Sequence, residues 1–99
     1  MSYSEHVDRD VRLIILRTLH GEADYTLNST LLQRRIETFG HVKSRDYVHA
    51  QLGWLRDEVG AITLTEAGSI LVAKLTRRGA DHVELRSVLP GIGRPGPGA

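Results

Sequence analysis

The side chains best equipped for chemistry in this 99-residue sequence are five histidines, His6, His20, His41, His49 and His82, and 13 lysines and arginines set against 12 acids. The histidines lack ligand-like spacing and have no cysteine beside them, so no metal site is expected. Glycine-rich phosphate loops, nucleophile elbows and histidines spaced to serve a nucleophile are also missing, so neither an enzyme nor a cofactor is expected. What remains is charge, and it is unevenly placed. Residues 31–56 carry a net +3, whereas residues 1–30 and 57–76 each carry −2. Polyanion binding depends on a local basic surface rather than on total charge, so the chemistry to expect is neutralisation of phosphates.

Seven residues of the basic segment are candidates for contacting a polyanion, namely Arg34, Arg35, Lys43, Ser44, Arg45, Tyr47 and His49. Arg45 has the planar fork that gives two hydrogen bonds to a guanine, and His49 follows it one helical turn later. Arg34, Arg35 and Lys43 are expected to flank a turn and hold phosphates, with Ser44 at the helix start and Tyr47 donating through its hydroxyl. The competing account is a solvated face in which Tyr47 completes the core.

These residues need elements to hold them. Val7, Val11, Ile14, Ile15 and Leu19 recur at helical steps, which predicts a helix over 4–19. Ser2 and Glu5 have capping-box spacing before it, and Gly21 is expected to end it in a left-handed conformation. Asn28 should cap a second helix over 29–39, with Leu27 and Leu32 as a hydrophobic staple and a buried stripe of Leu32, Ile36 and Phe39. Gly40 ends that helix, and Ser44 caps a third over 45–58 that buries Val48, Leu52, Leu55 and Val59. After Gly60, β-branched runs over 61–65 and 70–76 read as a hairpin around Glu66 to Ser69. Thr76 should cap a short last helix reaching Arg86. Residues 90–99 contain seven glycines and prolines, a composition expected to leave a mobile tail after a domain spanning 1–89.

Two helices joined by a short Gly-containing turn, then a hairpin and a closing helix, make a mainly α fold of the winged helix-turn-helix type. The sequence also resembles the small winged-helix proteins of Mu-like phages and prophages, which are grouped with ArsR-type regulators. The resemblance rests on Tyr25-Thr26-Leu27-Asn28, Phe39-Gly40-His41, Ser44-Arg45-Asp46, Trp54-Leu55, Leu75-Thr76-Arg77-Arg78-Gly79 and Pro90-Gly91-Ile92-Gly93-Arg94-Pro95. It implies a phage origin and a DNA-binding type of fold.

The resulting expectation is a transcriptional regulator in the cytoplasm of a bacterial host, a homodimer that binds duplex DNA through the helix over 45–58, with no membrane contact. The alternative is a non-enzymatic module that binds another phage protein in assembly or DNA packaging. Its support is the stripe of Ala50 and Gly53 flanked by Tyr47 and Trp54, together with a turn at Glu66 to Ser69 that carries one acid and no base. Whatever the function, the helical phase makes Leu52 a core residue. Leu52→Ala should cost about 2–5 kcal/mol in urea unfolding, and a loss below about 1 kcal/mol would mean that the helix buries a different face.

Overall fold

A computed structural model describes residues 1–96 and orders them as α1 (Tyr3–His20), β1 (Thr26–Asn28), α2 (Ser29–Thr38), α3 (Arg45–Asp57), β2 (Ile62–Ala67), β3 (Ile70–Leu75) and α4 (Arg77–Val83). Each helix begins on the side chain expected to cap it. Ser2 and Glu5 form the capping box of α1. Asn28 Oδ1 accepts the Leu31 N–H at 2.9 Å, Ser44 Oγ the Tyr47 N–H at 3.0 Å, and Thr76 Oγ1 the Gly79 N–H at 3.3 Å. Such caps supply acceptors for N–H groups that the first turn leaves without partners, each worth about 1 kcal/mol.

The strands form one antiparallel sheet in the order β1-β3-β2. β2 and β3 are consecutive, with Ala67 opposite Ile70. The hairpin is thus tighter than expected, and Glu66 and Ala67 belong to the strand. Gly68, at φ +63°, supplies the left-handed residue that a two-residue hairpin turn requires. The sequence pattern does not predict β1. It is three residues long, too short to show alternation, and it pairs Leu27 with Ala73 far along the chain.

The core forms between α1 and the other elements. Val11, Ile15, Leu16 and Leu19 of α1 are fully buried, as are Leu32 and Ile36 of α2 and Val48, Leu52 and Leu55 of α3. The sheet contributes Ile62, Ala73 and Leu75 from its inner face. Phe39 departs from expectation: it follows the last turn of α2 and is 56% exposed, outside the buried stripe. Gly21 is right-handed at φ −80°, and the left-handed residue of that loop is Tyr25. The last helix stops at Val83 instead of Arg86. Leu85 there takes φ +61°, Leu85 N–H bonds to His82 O and Arg86 N–H to Asp81 O. This is the double hydrogen bond of a helix-ending motif whose usual residue is glycine, so the leucine gave no warning of it.

The largest correction concerns the tail. From Leu89 to Gly93 the chain packs across α1 and α4, with Leu89 buried and Ile92 fully buried. Gly93 N–H donates to Arg9 O at 3.0 Å, and the Arg12 guanidinium donates to Gly91 O at 2.9 Å. Buried His82 accepts the Leu89 N–H on Nδ1 at 3.0 Å, so its other nitrogen, Nε2, carries the proton donated to Gly93 O at 2.8 Å. The glycines permit this close packing. Gly91 has φ +82°, and a Cβ there would lie 2.6 Å from the Trp54 ring. The domain therefore extends beyond Leu89, while residues 97–99 of the expected tail lie outside the described residues. Ile92→Ala should destabilise the chain by about 2–4 kcal/mol, and truncation after Leu89 should lower the melting temperature further. An unchanged melting temperature on truncation would show that the segment contributes nothing to the fold.

Candidate nucleic-acid interface

The segment Phe39 to Ser44 carries the chain from α2 into α3. Gly40 ends α2 with φ +91°, and His41 N–H returns to Ile36 O at 3.0 Å. His41 Nε2 meets Asp10 Oδ2 of α1 at 2.7 Å, and the Gln33 amide donates to Lys43 O at 2.9 Å. The turn is thereby tied to α1 on one side and to α2 on the other, which fixes where α3 begins.

At that beginning the candidates separate into groups. Arg45 is exposed and its side chain has no hydrogen bond, ion pair or ring contact among the described residues. Lys43 is half-buried, its ammonium 5.0 Å from the centre of the Tyr47 ring. Ser44 has its hydroxyl engaged as the helix cap. Tyr47 donates its only hydroxyl proton to Asp8 Oδ1 of α1 at 2.5 Å, so it acts as a strut between α1 and α3 and has no proton left for a phosphate. His49 is half-buried, with Nε2 3.3 Å from Ser29 Oγ, and that hydroxyl accepts the Leu71 N–H of β3 at 3.0 Å. His49 therefore lies where α2, α3 and the sheet meet.

Arg34 and Arg35 do not sit against Lys43 in the turn, although Arg35 reaches its first residue, Phe39. Gln33 takes that position, and the helical phase of α2 turns both arginines toward α1, where they line a groove with Arg17. Arg35 lies over the Phe39 ring at 5.3 Å. The small-residue stripe of Ala50 and Gly53 expected to make a protein contact has its Trp54 flank engaged, because Trp54 is covered by Arg12 at 3.7 Å from its ring centre and packs against Gly91. The outer surface of α3 is electrically mixed: Arg56 pairs with Asp57 at 2.7 Å, and exposed Asp46 lies beside Arg45. Asp8 and Arg12, on which the placement of Tyr47 and Trp54 depends, could not be found from the sequence, because both partnerships span about forty residues of chain.

Descent agrees with the phage resemblance. Over 90 residues the chain is 37% identical to the uncharacterized protein gp26 of Escherichia phage Mu, covering 91% of this chain and 92% of gp26. The chain belongs to the family of phage Mu gp26. An uncharacterized protein of Haemophilus influenzae is 37% identical over 79 residues, covering 79% of this chain and 76% of its own length. No family model matches the chain, and no solved structure matches it. Membership of the gp26 family establishes a phage lineage and carries no activity with it. Among the described residues, no helix is long and apolar enough to cross a membrane.

The Tyr47 strut has a pH signature. Burial, the hydrogen bond to Asp8 and the charge of Asp8 all raise the Tyr47 phenol above its ordinary value of 10.0. The fold thus favours the neutral phenol, and that stabilisation is complete below the ionisation of an unfolded tyrosine, near pH ~10, and declines as pH rises past it. Tyr47→Phe should cost about 1 kcal/mol at neutral pH, and the gap to wild type should shrink above pH ~10. Urea unfolding at several pH values reads this, and a gap that stays constant into the alkaline range would remove the Asp8 bond as its source.

Proposed function

We propose that the chain is a phage-encoded protein that binds duplex DNA as a winged helix-turn-helix domain, placing the N-terminal part of α3 in the major groove. The order α1-β1-α2-α3-β2-β3, with short β1 entering the sheet beside β3, is consistent with that fold. The observation that carries the proposal is Arg45: an exposed guanidinium, unused by the fold, at the first position of a helix whose start is fixed on both sides. A recognition helix presents its N-terminal residues to base edges, and arginine there is suited to guanine.

The DNA-facing set is narrower than the sequence suggested. Lys43 supplies phosphate neutralisation and Arg45 base contact, while His49 lies at the edge of the face. The tip from Glu66 to Ser69 carries no cation and adds nothing to phosphate binding. A face with so few cations binds one copy weakly, so the proposal includes a pair of copies on half-sites about one DNA turn apart. A role in transcriptional regulation follows from this mode of binding rather than from any catalytic group.

The test is fluorescence anisotropy on fragments of the phage genome that encodes the chain. Binding should fall with salt as counterions are released, with a shallow slope set by the few phosphate contacts of each copy. Arg45→Ala should weaken the preferred site by about 1–3 kcal/mol and leave random duplex little changed, whereas Lys43→Ala should weaken both alike. No binding at low salt, or equal losses on specific and random DNA for Arg45→Ala, would overturn the proposed readout.

A further inference from the structure

We propose that the groove between α1 and α2 is a docking site for an acidic segment of a partner protein, which inserts large apolar side chains between the two helices. This surface is separate from the start of α3, and the proposal does not depend on DNA binding.

The groove consists of two adjoining hollows of about 440 and 400 Å³ that share Arg17, Thr18 and Arg35. Leu27 and Leu31 line the first hollow, and Leu13, Ile14 and Phe39 the second. Leu31 and Arg35 lie one turn apart on α2, and Phe39, just past its end, has its ring centre 5.3 Å from the Arg35 guanidinium, so the three share one flank of the helix. Leu31 is 44% exposed and Phe39 56% exposed. These are large apolar side chains that the fold leaves partly in water beside open hollows, in contrast to fully buried Leu32 and Ile36 on the adjacent face of the same helix.

Charge determines the occupant. Arg34 and Arg35 border the groove with no hydrogen bond or ion pair from either guanidinium among the described residues, against the acids Glu22 and Asp10, of which Asp10 is engaged by His41 at 2.7 Å. The balance favours a negative partner. A nucleic-acid backbone would satisfy the arginines but offers no aliphatic or aromatic groups for the apolar floor. An acidic protein segment with two apolar anchors satisfies both, in the manner of amphipathic segments that lie in grooves. Carboxylates match the forked geometry of Arg34 and Arg35, and the anchors fill one hollow each.

The test uses a displayed library of random sixteen-residue peptides, selected on the whole chain and counter-selected on Leu31→Ser/Phe39→Ser. Both substitutions fall at exposed positions, and circular dichroism checks that the variant remains folded. Enriched peptides should be acidic with two large apolar residues, and Arg34→Glu/Arg35→Glu should weaken a selected peptide at least tenfold while binding by a lysine-substituted copy of that peptide improves. Enrichment of neutral or basic peptides, or equal binding by the counter-selection variant, would overturn the proposal. Two further results would also overturn it: duplex DNA whose affinity falls as much with Arg34→Glu/Arg35→Glu as with Lys43→Ala, which would place these arginines in a nucleic-acid face, and a dimer of the chain, seen by sedimentation, that Phe39→Ser dissociates. Loss of DNA binding by Arg45→Ala alone does not touch this groove, so the two proposals fail separately.

Discussion

The burial of α1 is the constraint on which the rest of the fold depends. Val11, Ile15, Leu16 and Leu19 are fully buried and Leu13 and Ile14 nearly so, and at 100° per residue these six positions point in almost every direction around the helix. A surface helix needs cover along one stripe. Here α2, α3, β3 and α4 all pack on α1, and the segment from Leu89 to Gly93 closes a further part of its surface. Ordering that glycine-rich segment costs backbone entropy, and the burial of Ile92 and Leu89 offsets it.

Polar groups at the rim of this core connect its layers. Arg12 leaves α1, donates to Gln51 of α3 at 2.7 Å and to Gly91 O at 2.9 Å, and stacks on Trp54. Its burial lowers the guanidinium pKa, opposed by the charge of Asp8 and by Tyr47. The nearby Tyr47 and Asp8 pair joins the same two helices one turn earlier on α1. Buried His82 fills both of its ring nitrogens with backbone partners. Among the described residues, no buried side-chain nitrogen or oxygen lacks a partner, so these connections do not incur the penalty of an unsatisfied polar group.

Local signals in the sequence proved the legible ones. Ser2, Asn28, Ser44 and Thr76 cap helices because a hydroxyl or amide before a helical run has one favoured use, and Val48, Leu52 and Leu55 repeat with the period of the helix they form, while Val59, expected on the same helix, is buried just past its end. Signals that depend on distant partners were not legible. β1 exists because β3 is there to receive it, and Tyr47 is a strut because Asp8 faces it across the helix interface. The composition of the last segment misled for a physical reason: glycine weakens a chain left in solvent, yet at Gly91 it is the residue that fits against Trp54 with a left-handed backbone. Among the candidate site residues, the positions of Lys43 and Arg45 followed from local pattern. Those of Arg34 and Arg35 depended on the rotation of α2 about its axis, which the burial of Leu32 and Ile36 sets and which leaves Gln33 facing the turn.

That rotation gives α2 two different flanks, and it shapes both proposals. One flank, through Gln33, supports the turn that presents Arg45; the other, through Leu31, Arg35 and Phe39, opens toward α1. The charge on the outer face of α3 is largely cancelled by Asp46 and by the Arg56 and Asp57 pair, so under the proposed role Lys43 and Arg45 carry most of the electrostatic attraction. Phosphate neutralisation contributes per contact, and two cations fall short of the roughly six to ten contacts that give strong salt-dependent binding. The deficit has to be met by further binding energy from outside this face, either a second copy on a neighbouring half-site or a partner held elsewhere. Under the second proposal, the groove bordered by Arg34 and Arg35 on the opposite flank of α2 holds such a partner without covering the start of α3.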